Sequence, residues 1–358
     1  MRLRSTGDLK KEIRIEDVFK GKLSLPENDQ DVVILKSDDL PTYHFAHVVD
    51  DFLMGTTHVL RGDEWLSSLT LHLQLFDRLG WKRPVYGHLS PIQKIEGSSR
   101  RKLSKRKDPE ANMEYYTKEG FPKESIIMYL LNLANASFED WLKNNPTKGL
   151  KEYPLLINEL KRGSGSLLDL KKIESFSKDY IGTLKTEEIF DRAIAWAKEF
   201  DSELATIMQS NRDYTMQILN IDRVGDKARK DIIKWGDLRY EIGFFFDEIY
   251  SSTVIDEKEL SDVSKDDIET IAEKSVEIFN ANLDKDSWLA KMREMGATVG
   301  YAPDAKTFKA SPDKFKGNFG TVAKVVRVLL AGRNQSPDLY EIMNIMGKDR
   351  IQSRLLKF

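Results

Sequence analysis

Between Glu12 and Asn28 the stretch "EIRIEDVFKGKLSLPEN" alternates apolar and polar residues and ends in turn formers, the pattern of a strand pair. "DVVILK" (Asp31 to Lys36) is a short, β-branched apolar run and predicts a buried strand. From Tyr43 to Met54 the spacing turns helical, and "TTHVLRG" (Thr56 to Gly62) is a second β-rich run closed by glycine. In "DEWLSSLTLHLQLFDRLGW", Leu66, Leu69, Leu73, Phe76 and Leu79 recur at three- and four-residue spacing, and Gly80 marks a helix stop. "PVYGHL" is a third short strand. Strand, helix, strand, helix, strand predicts a parallel α/β sheet, whose strand C-termini are where such sheets place ligands.

After Asp108 the pattern becomes helical. "NMEYYTKEGFPKESIIMYLLNLA" reads as two helices parted by Gly120 and Pro122, and "LLDLKKIESFSKDYI" as another. "EEIFDRAIAWAKEF" puts Ile189, Phe190, Ala193, Ile194, Ala197 and Phe200 on one face. "VAKVVRVLLAGR" does the same with Val322, Val325, Val326, Leu329 and Leu330, and stops at Gly332. "SPDLYEIMNIMGK" predicts a helix capped by Ser336, with Pro337 in its first turn and an end at Gly347.

A chain of 358 residues is too long for one ordinary core, so two or three domains are expected. With 32% charged residues and no long uncharged apolar run, a membrane span is not expected. The N-terminus is charged from Arg2 onward and lacks the apolar core of a signal peptide. There are no cysteines, which excludes disulfides and thiolate metal sites and fits a cytoplasmic setting. A net charge of −2 means that attraction to nucleic acid must come from local patches. The 5 histidines (His44, His47, His58, His72, His88) all fall in the first hundred residues. None forms the i, i+4 pair with an intervening glutamate that marks a zinc helix.

Two constellations carry candidate chemistry. In "RRKLSKRK" (Arg100 to Lys107) 6 of 8 residues are basic. Lys102, Lys105 and Arg106 on one loop, with the Ser104 hydroxyl, can surround a polyphosphate, and such charge-assisted contacts accelerate phosphoryl or adenylyl transfer. Taken alone, a basic run of this kind is more often solvated surface or a generic nucleic-acid patch. The second constellation is Tyr43, His47 and Arg61. Tyr43 and His47 are one helical turn apart and share a face, and an arginine grips a carboxylate with paired hydrogen bonds. Asp50 and Asp51 could orient these groups or cap a neighbouring element.

Together, "PTYHFAHVVDDFLMGTTHVLRGDEWLSS" and, about forty residues later, "KLSKRKD" resemble bacterial-type glutamyl-tRNA synthetases, in the C-terminal half of the catalytic domain. "KLSKR" is similar to the Lys-Met-Ser-Lys-Ser signature of class I synthetases. The likeness continues through "GFPKESIIMYLLNL" and resumes at "VAKVVRVLLAGRNQSPDLYEIMNIMGKDRI". It implies that Tyr43 and Arg61 contact glutamate, with His47 at another position of the substrate pocket. Asp63, Glu64 and Trp65 would lie on the adenosine side and Leu89 near the adenine, while Lys102, Ser104, Lys105 and Arg106 would act at the ATP phosphates. It further implies ATP with Mg2+ as substrate, no structural metal, tRNA(Glu) as partner with tRNA(Gln) left open, and a cytoplasmic monomer. The helical C-terminal part implies glutamyl rather than glutaminyl specificity.

The implied fold class is α/β plus all-α. A partial Rossmann-like nucleotide-binding domain (1–100) is followed by a stem-contact region with the KLSKR loop (101–185) and a helical anticodon-binding region (186–358). Phe52 stands where many relatives have histidine after the Asp pair. The first class I signature, His-Ile-Gly-His, has no counterpart, so the expectation is a fragment or shortened homologue that is inactive alone. Two readings stay open: a truncated ligase, and a binding module that keeps tRNA contacts without catalysis. RNA contacts of the helical region are unplaced; Lys309, Lys314, Lys316 and Arg333 are candidates because they flank loops.

Overall fold

The computed structural model describes residues 1–160, 165–223, 228–253, 255 and 257–357. In chain order the elements are β1 (Glu12–Asp17), β2 (Gly21–Pro26), α1 (Tyr43–Leu53), β3 (His58–Gly62), α2 (Leu69–Arg78), β4 (Val85–Leu89), β5 (Gln93–Glu96) and β6 (Ser99–Lys102). Then come α3 (Met113–Glu119), α4 (Lys123–Ala134), α5 (Phe138–Asn144), α6 (Leu170–Thr183), α7 (Thr186–Phe200), α8 (Ser202–Ser210) and α9 (Arg212–Asn220). The last are α10 (Leu238–Ile242), α11 (Asp247–Tyr250), α12 (Lys265–Ile278), α13 (Lys285–Thr298), α14 (Ala305–Ala310), α15 (Phe319–Ala331) and α16 (Leu339–Leu355). The chain divides into two compact units, Met1–Asn112 with Ile127–Lys172, and Met113–Ile126 with Ile173–Phe358. Among the described residues no helix is long and apolar enough to cross a membrane.

In the first unit the alternating N-terminal stretch forms the β1–β2 antiparallel hairpin, with Asp17 opposite Gly21 at its turn. Strands β3 and β4 pair in parallel, in a register that sets Arg61 opposite His88. A 3₁₀ turn over Asp63–Ser68 and then α2 connect them, the helical crossover that a parallel strand pair needs. Helix α2 is buried on two sides. Leu69 and Leu73 pack with Tyr86 against Ile13, Ile15 and Leu25 of the hairpin, while Leu71, Leu75 and Phe76 pack with Leu3, Ile34 and Val48. Burial on both sides fixes the helix, and with it His72, relative to β3 and β4. "DVVILK" does not form a strand; it makes only isolated bridges, Val33 with Arg2 and Leu35 with Pro41. Its apolar character serves the core directly through Ile34. The parallel sheet is therefore two-stranded rather than three-stranded.

The second unit is helical. The predicted face of α7 is buried at Ile189, Phe190, Ala193, Ile194 and Ala197, but Phe200, at the helix end, is 36% exposed. Helix α15 buries all five of its predicted positions and ends at Gly332, whose φ of +74° is a left-handed C-cap that side chains with a Cβ resist. Ser336 is not the cap of the next helix. Asp338 takes that place, its carboxylate accepting the Glu341 amide at 3.3 Å. Gly347 (φ +75°, ψ 167°) does break the helical run, after which a second helical stretch continues to Leu355.

Candidate functional site

Arg61 lies at the centre of the first unit's polar chemistry. Strand β3 delivers it, and the parallel register brings His88 alongside, so Arg61 Nε donates to His88 Nε2 at 3.0 Å. A second guanidinium nitrogen meets His72 Nδ1 at 3.1 Å, and the third donates to the Trp65 carbonyl at 3.4 Å. The guanidinium sits 5.0 Å from the centre of the Tyr86 ring, a cation–π contact. No ion pair to a carboxylate is found for Arg61 among the described residues.

The imidazoles around Arg61 are held neutral. His72 is fully buried, and burial, then the nearby Arg61 charge, push its pKa down to about 2. Burial likewise lowers His44, His47 and His88, and Arg61 adds to the shift in each. The hydrogen bonds then fix each tautomer. His72 accepts from Arg61 on Nδ1, so its Nε2–H donates to His44 Nδ1 at 2.9 Å. His88 accepts on Nε2, so its Nδ1–H donates to Asp17 at 2.6 Å. His47 donates from Nδ1 to Asp51 at 2.5 Å and accepts the Tyr86 hydroxyl on Nε2 at 3.0 Å. The result is a guanidinium whose neighbours accept its hydrogen bonds without neutralising its charge. Tyr43 closes the edge, stacked on Trp65 at 4.3 Å and parallel to His47 at 5.9 Å.

The basic run has a different construction. Arg100 to Lys102 belong to β6, paired with β5, so only Leu103 to Lys107 form the loop. Asp108 organises it. Its buried carboxylate accepts two hydrogen bonds from Arg101, at 2.6 and 2.8 Å, and the Ser104 amide at 2.8 Å, with Lys94 3.4 Å away. The Arg101 contact and the Ser104 amide hold the Asp108 carboxyl well below the usual range. The Lys105 carbonyl accepts from Asn112 at 3.2 Å, while the Lys105 and Arg106 side chains are exposed. Lys102 is tied to Glu64 at 2.8 Å. Because Trp65 follows Glu64, this contact ties the end of β6, where the basic turn begins, to the residue next to the Arg61 cluster.

The second unit holds a separate polar cavity of about 590 Å³, lined by Arg229, Arg327, Arg333, Tyr240 and Ser336 among others. The guanidinium nitrogens Nη1 and Nη2 of Arg229, Nε of Arg327 and Nε of Arg333 are buried without a hydrogen-bond partner among the described residues. Arg223 is 4% exposed, has no hydrogen bond on any of its three nitrogens among the described residues, and lies 3.9 Å from Asp231. Burial, then repulsion from Arg229, lower its pKa to about 10. Arg333 stacks 3.9 Å over Tyr240. Arg229 Nε donates to Asp231 at 2.7 Å and Arg333 to Glu241 at 3.0 Å, and Asp222 and Asp338 also line the cavity, so its guanidinium groups are partly paired beside an aromatic ring that a flat base can stack on.

Comparison with known proteins fits both units. Residues 1–143 match the family model of the class I tRNA synthetases (E and Q), catalytic domain, and residues 188–358 match that of an anticodon binding domain. A glutamate–tRNA ligase of Clostridium perfringens is 44% identical over 359 residues, spanning 100% of this chain and 65% of the relative. One of Sorangium cellulosum is 42% identical over 373 residues, again 100% and 65%. Residues 1–143 thus belong to the class I tRNA synthetase (E and Q) catalytic domains, and residues 188–358 to the anticodon binding domains. The fold agrees with the solved structure of a glutamate tRNA ligase from Elizabethkingia meningosepticum in complex with its amino acid. The TM-score is 0.69 at 23% identity, over 98% of this chain and 66% of that one. The chain is thus a partial Rossmann-like domain with a helical anticodon region, and it spans about 65% of the length of the relatives it matches.

Of the positions singled out in the sequence, Tyr43, His47, Arg61 and Trp65 meet in one cluster, and Lys102 meets Glu64. Asp63 pairs with Lys20 at 2.9 Å. Leu89 ends β4 and is 42% exposed, outside these contacts. Sequence reasoning missed Asp17, Tyr86, His72, His88 and Asp108. The crowding of histidines before residue 100 was the available signal: His44, His47, His72 and His88 share one network, whereas His58 is exposed and bonds its neighbour Thr57. In the helical unit Arg333 lines the cavity, but Lys316 pairs with Asp267 at 2.6 Å, and Lys309 and Lys314 are exposed.

Proposed function

We propose that this chain belongs to a glutamate–tRNA ligase, in whose reaction glutamate and ATP give glutamyl-adenylate and the glutamyl group passes to tRNA(Glu). The observation that carries this reading is Arg61, a half-buried cation whose hydrogen-bond partners are all neutral acceptors. Such a group is stabilised by an arriving carboxylate, which the guanidinium grips while the Tyr43 hydroxyl donates beside it. A glutamate carboxylate oxygen attacks the α-phosphorus of ATP, the bond to the bridging oxygen breaks, and pyrophosphate leaves with the negative charge. A tRNA ribose hydroxyl then attacks the acyl carbon and AMP departs. Lys102, Lys105 and Arg106 stabilise the charge building on the departing pyrophosphate, with the Ser104 hydroxyl as donor. Lys105 is the residue with most weight in this scheme, since its side chain is exposed and its backbone is held by Asn112. Glu64, Trp65 and Leu89 would line the adenosine side, and magnesium would enter with the nucleotide. In the same proposal residues 101–185 touch the tRNA stem, the arginine-lined cavity in 186–358 receives the anticodon, and the setting is cytoplasmic.

A second reading, an RNA-binding module without catalysis, has its own support in that cavity, which lies wholly within the second unit. ATP–pyrophosphate exchange separates the two. Exchange by this chain that depends on L-glutamate and tRNA(Glu) is the outcome for a ligase. Salt-sensitive tRNA binding with no exchange is the outcome for the module, and neither exchange nor tRNA binding contradicts both.

A further inference from the structure

We infer that Asp17 is a positioning residue for Arg61, acting through His88 by fixing which ring nitrogen carries the proton. The inference rests on the reading of Arg61 as the carboxylate-binding cation. Asp17 and His88 side chains are both 0% exposed, so this pair sees no solvent and faces Arg61 from behind. The two oxygens of Asp17 have distinct duties. Oδ1 accepts three backbone amides, from Phe19 at 3.0 Å, Lys20 at 2.9 Å and His88 at 3.1 Å, at the tip of the β1–β2 hairpin. Among the described residues Oδ2 accepts only the His88 ring, at 2.6 Å. Burial by itself would raise the Asp17 carboxyl, but these donors outweigh it and hold it below the ordinary range, so it is a carboxylate at neutral pH.

A carboxylate on Oδ2 can only accept, so the His88 proton sits on Nδ1 and the Nε2 lone pair faces Arg61 Nε–H. Arg61 Nε–H favours the same tautomer from the other side of the ring, and Asp17 locks it through the shorter bond. Asp17 thereby sets the plane of the guanidinium from two bonds away, and leaves its other nitrogens aimed at His72 and Trp65. The carboxylate is separated from Arg61 by the imidazole, so it orients the cation without forming an ion pair with it.

The same geometry supplies its test. In Asp17→Asn the single remaining oxygen stays with the three backbone amides, and the new amide NH2 turns toward His88 Nδ1. That forces the proton onto Nε2, where two N–H groups then oppose each other across the former Arg61 bond. Imidazole nitrogen NMR should show His88 protonated on Nδ1 in the wild-type chain and on Nε2 in Asp17→Asn, with a changed Arg61 Nε–H resonance. Calorimetry should show L-glutamate affinity reduced roughly 10- to 100-fold, the loss of one hydrogen bond to a charged group. If Asp17→Asn does not fold, His88→Phe, which keeps a ring but no nitrogen, is expected to give the same loss of affinity. A wild-type Nε2–H tautomer overturns the inference, as does unchanged glutamate affinity in the substituted chain. If the wild-type chain binds no glutamate, the substrate reading of Arg61 fails. The tautomer and the Arg61 resonance then decide the role of Asp17 by themselves: both shifting upholds it, and either staying fixed overturns it.

Discussion

Acid should unfold the first unit early, and His72 should account for a measurable part of it. Its ring is fully buried and its pKa in the fold is about 2. In the unfolded chain the value returns to about 6.5. The folded value is the depressed one, so the stability is fully present above pH 6.5. It is lost as pH falls from there toward the folded pKa, because the unfolded state takes up a proton that the folded state refuses. Between pH 7 and pH 5 the unfolded group gains nearly its whole proton over roughly 1.5 pH units, at about 1.4 kcal/mol per unit, so His72 alone costs about 2 kcal/mol. His44, His47 and His88 are shifted the same way and add to the loss. His72→Gln retains an acceptor for Arg61 and a donor for His44 but cannot titrate. Urea titrations at pH 7 and pH 5, followed by hydrogen exchange of peptides spanning β3 to β4, should therefore show a smaller pH-induced loss in His72→Gln, by about 2 kcal/mol. Carboxylates titrate in both chains and cancel in the comparison. Equal losses in the two would refute the neutral-cage account.

Other outcomes follow from the remaining sites. Asp108→Asn removes one charge from the hub holding Arg101 and the Ser104 amide; tripolyphosphate affinity, measured by calorimetry, should fall several-fold while the first unit stays folded. Arg333→Met removes the cation stacked over Tyr240 in the second unit's cavity, and tRNA affinity, measured by titration calorimetry, should weaken several-fold. In a ligase-competent protein Lys105→Ala should lower ATP–pyrophosphate exchange by roughly one to three orders of magnitude, with an unchanged rate removing Lys105 from the scheme.

Legibility of the fold tracked locality. The hairpin, α1, α2, α7 and α15 follow from periodicity because their burial is decided by residues three or four apart, or by simple alternation. "DVVILK" misled because β-branched apolar residues report burial, and Ile34 reaches the core without a strand around it. Ser336 misled because Asp338, two residues on, offers a carboxylate to the same helix end. In the candidate site, Tyr43 and His47 share a helix face and were readable, and the basic run was conspicuous. Asp17 and His88 are 71 residues apart and meet only because the hairpin tip lies under β4, which no local pattern encodes. Asp108 looked like the end of a charge run, and only the structure shows its carboxylate buried beneath the loop. The arginine cavity brings residues near 229 together with residues near 333 by helix packing, so charge spacing alone could not place it.

The central claim is that Arg61 is an uncompensated cation built to receive a carboxylate. Titration calorimetry with L-glutamate and L-glutamine, on the wild-type chain and on Arg61→Met, tests it most directly. The account predicts that the wild type prefers glutamate to glutamine by roughly tenfold or more, a charge-assisted against a neutral hydrogen-bond partner. Arg61→Met should lose that preference. Equal affinities in the wild type, or a preference that survives in Arg61→Met, would contradict it.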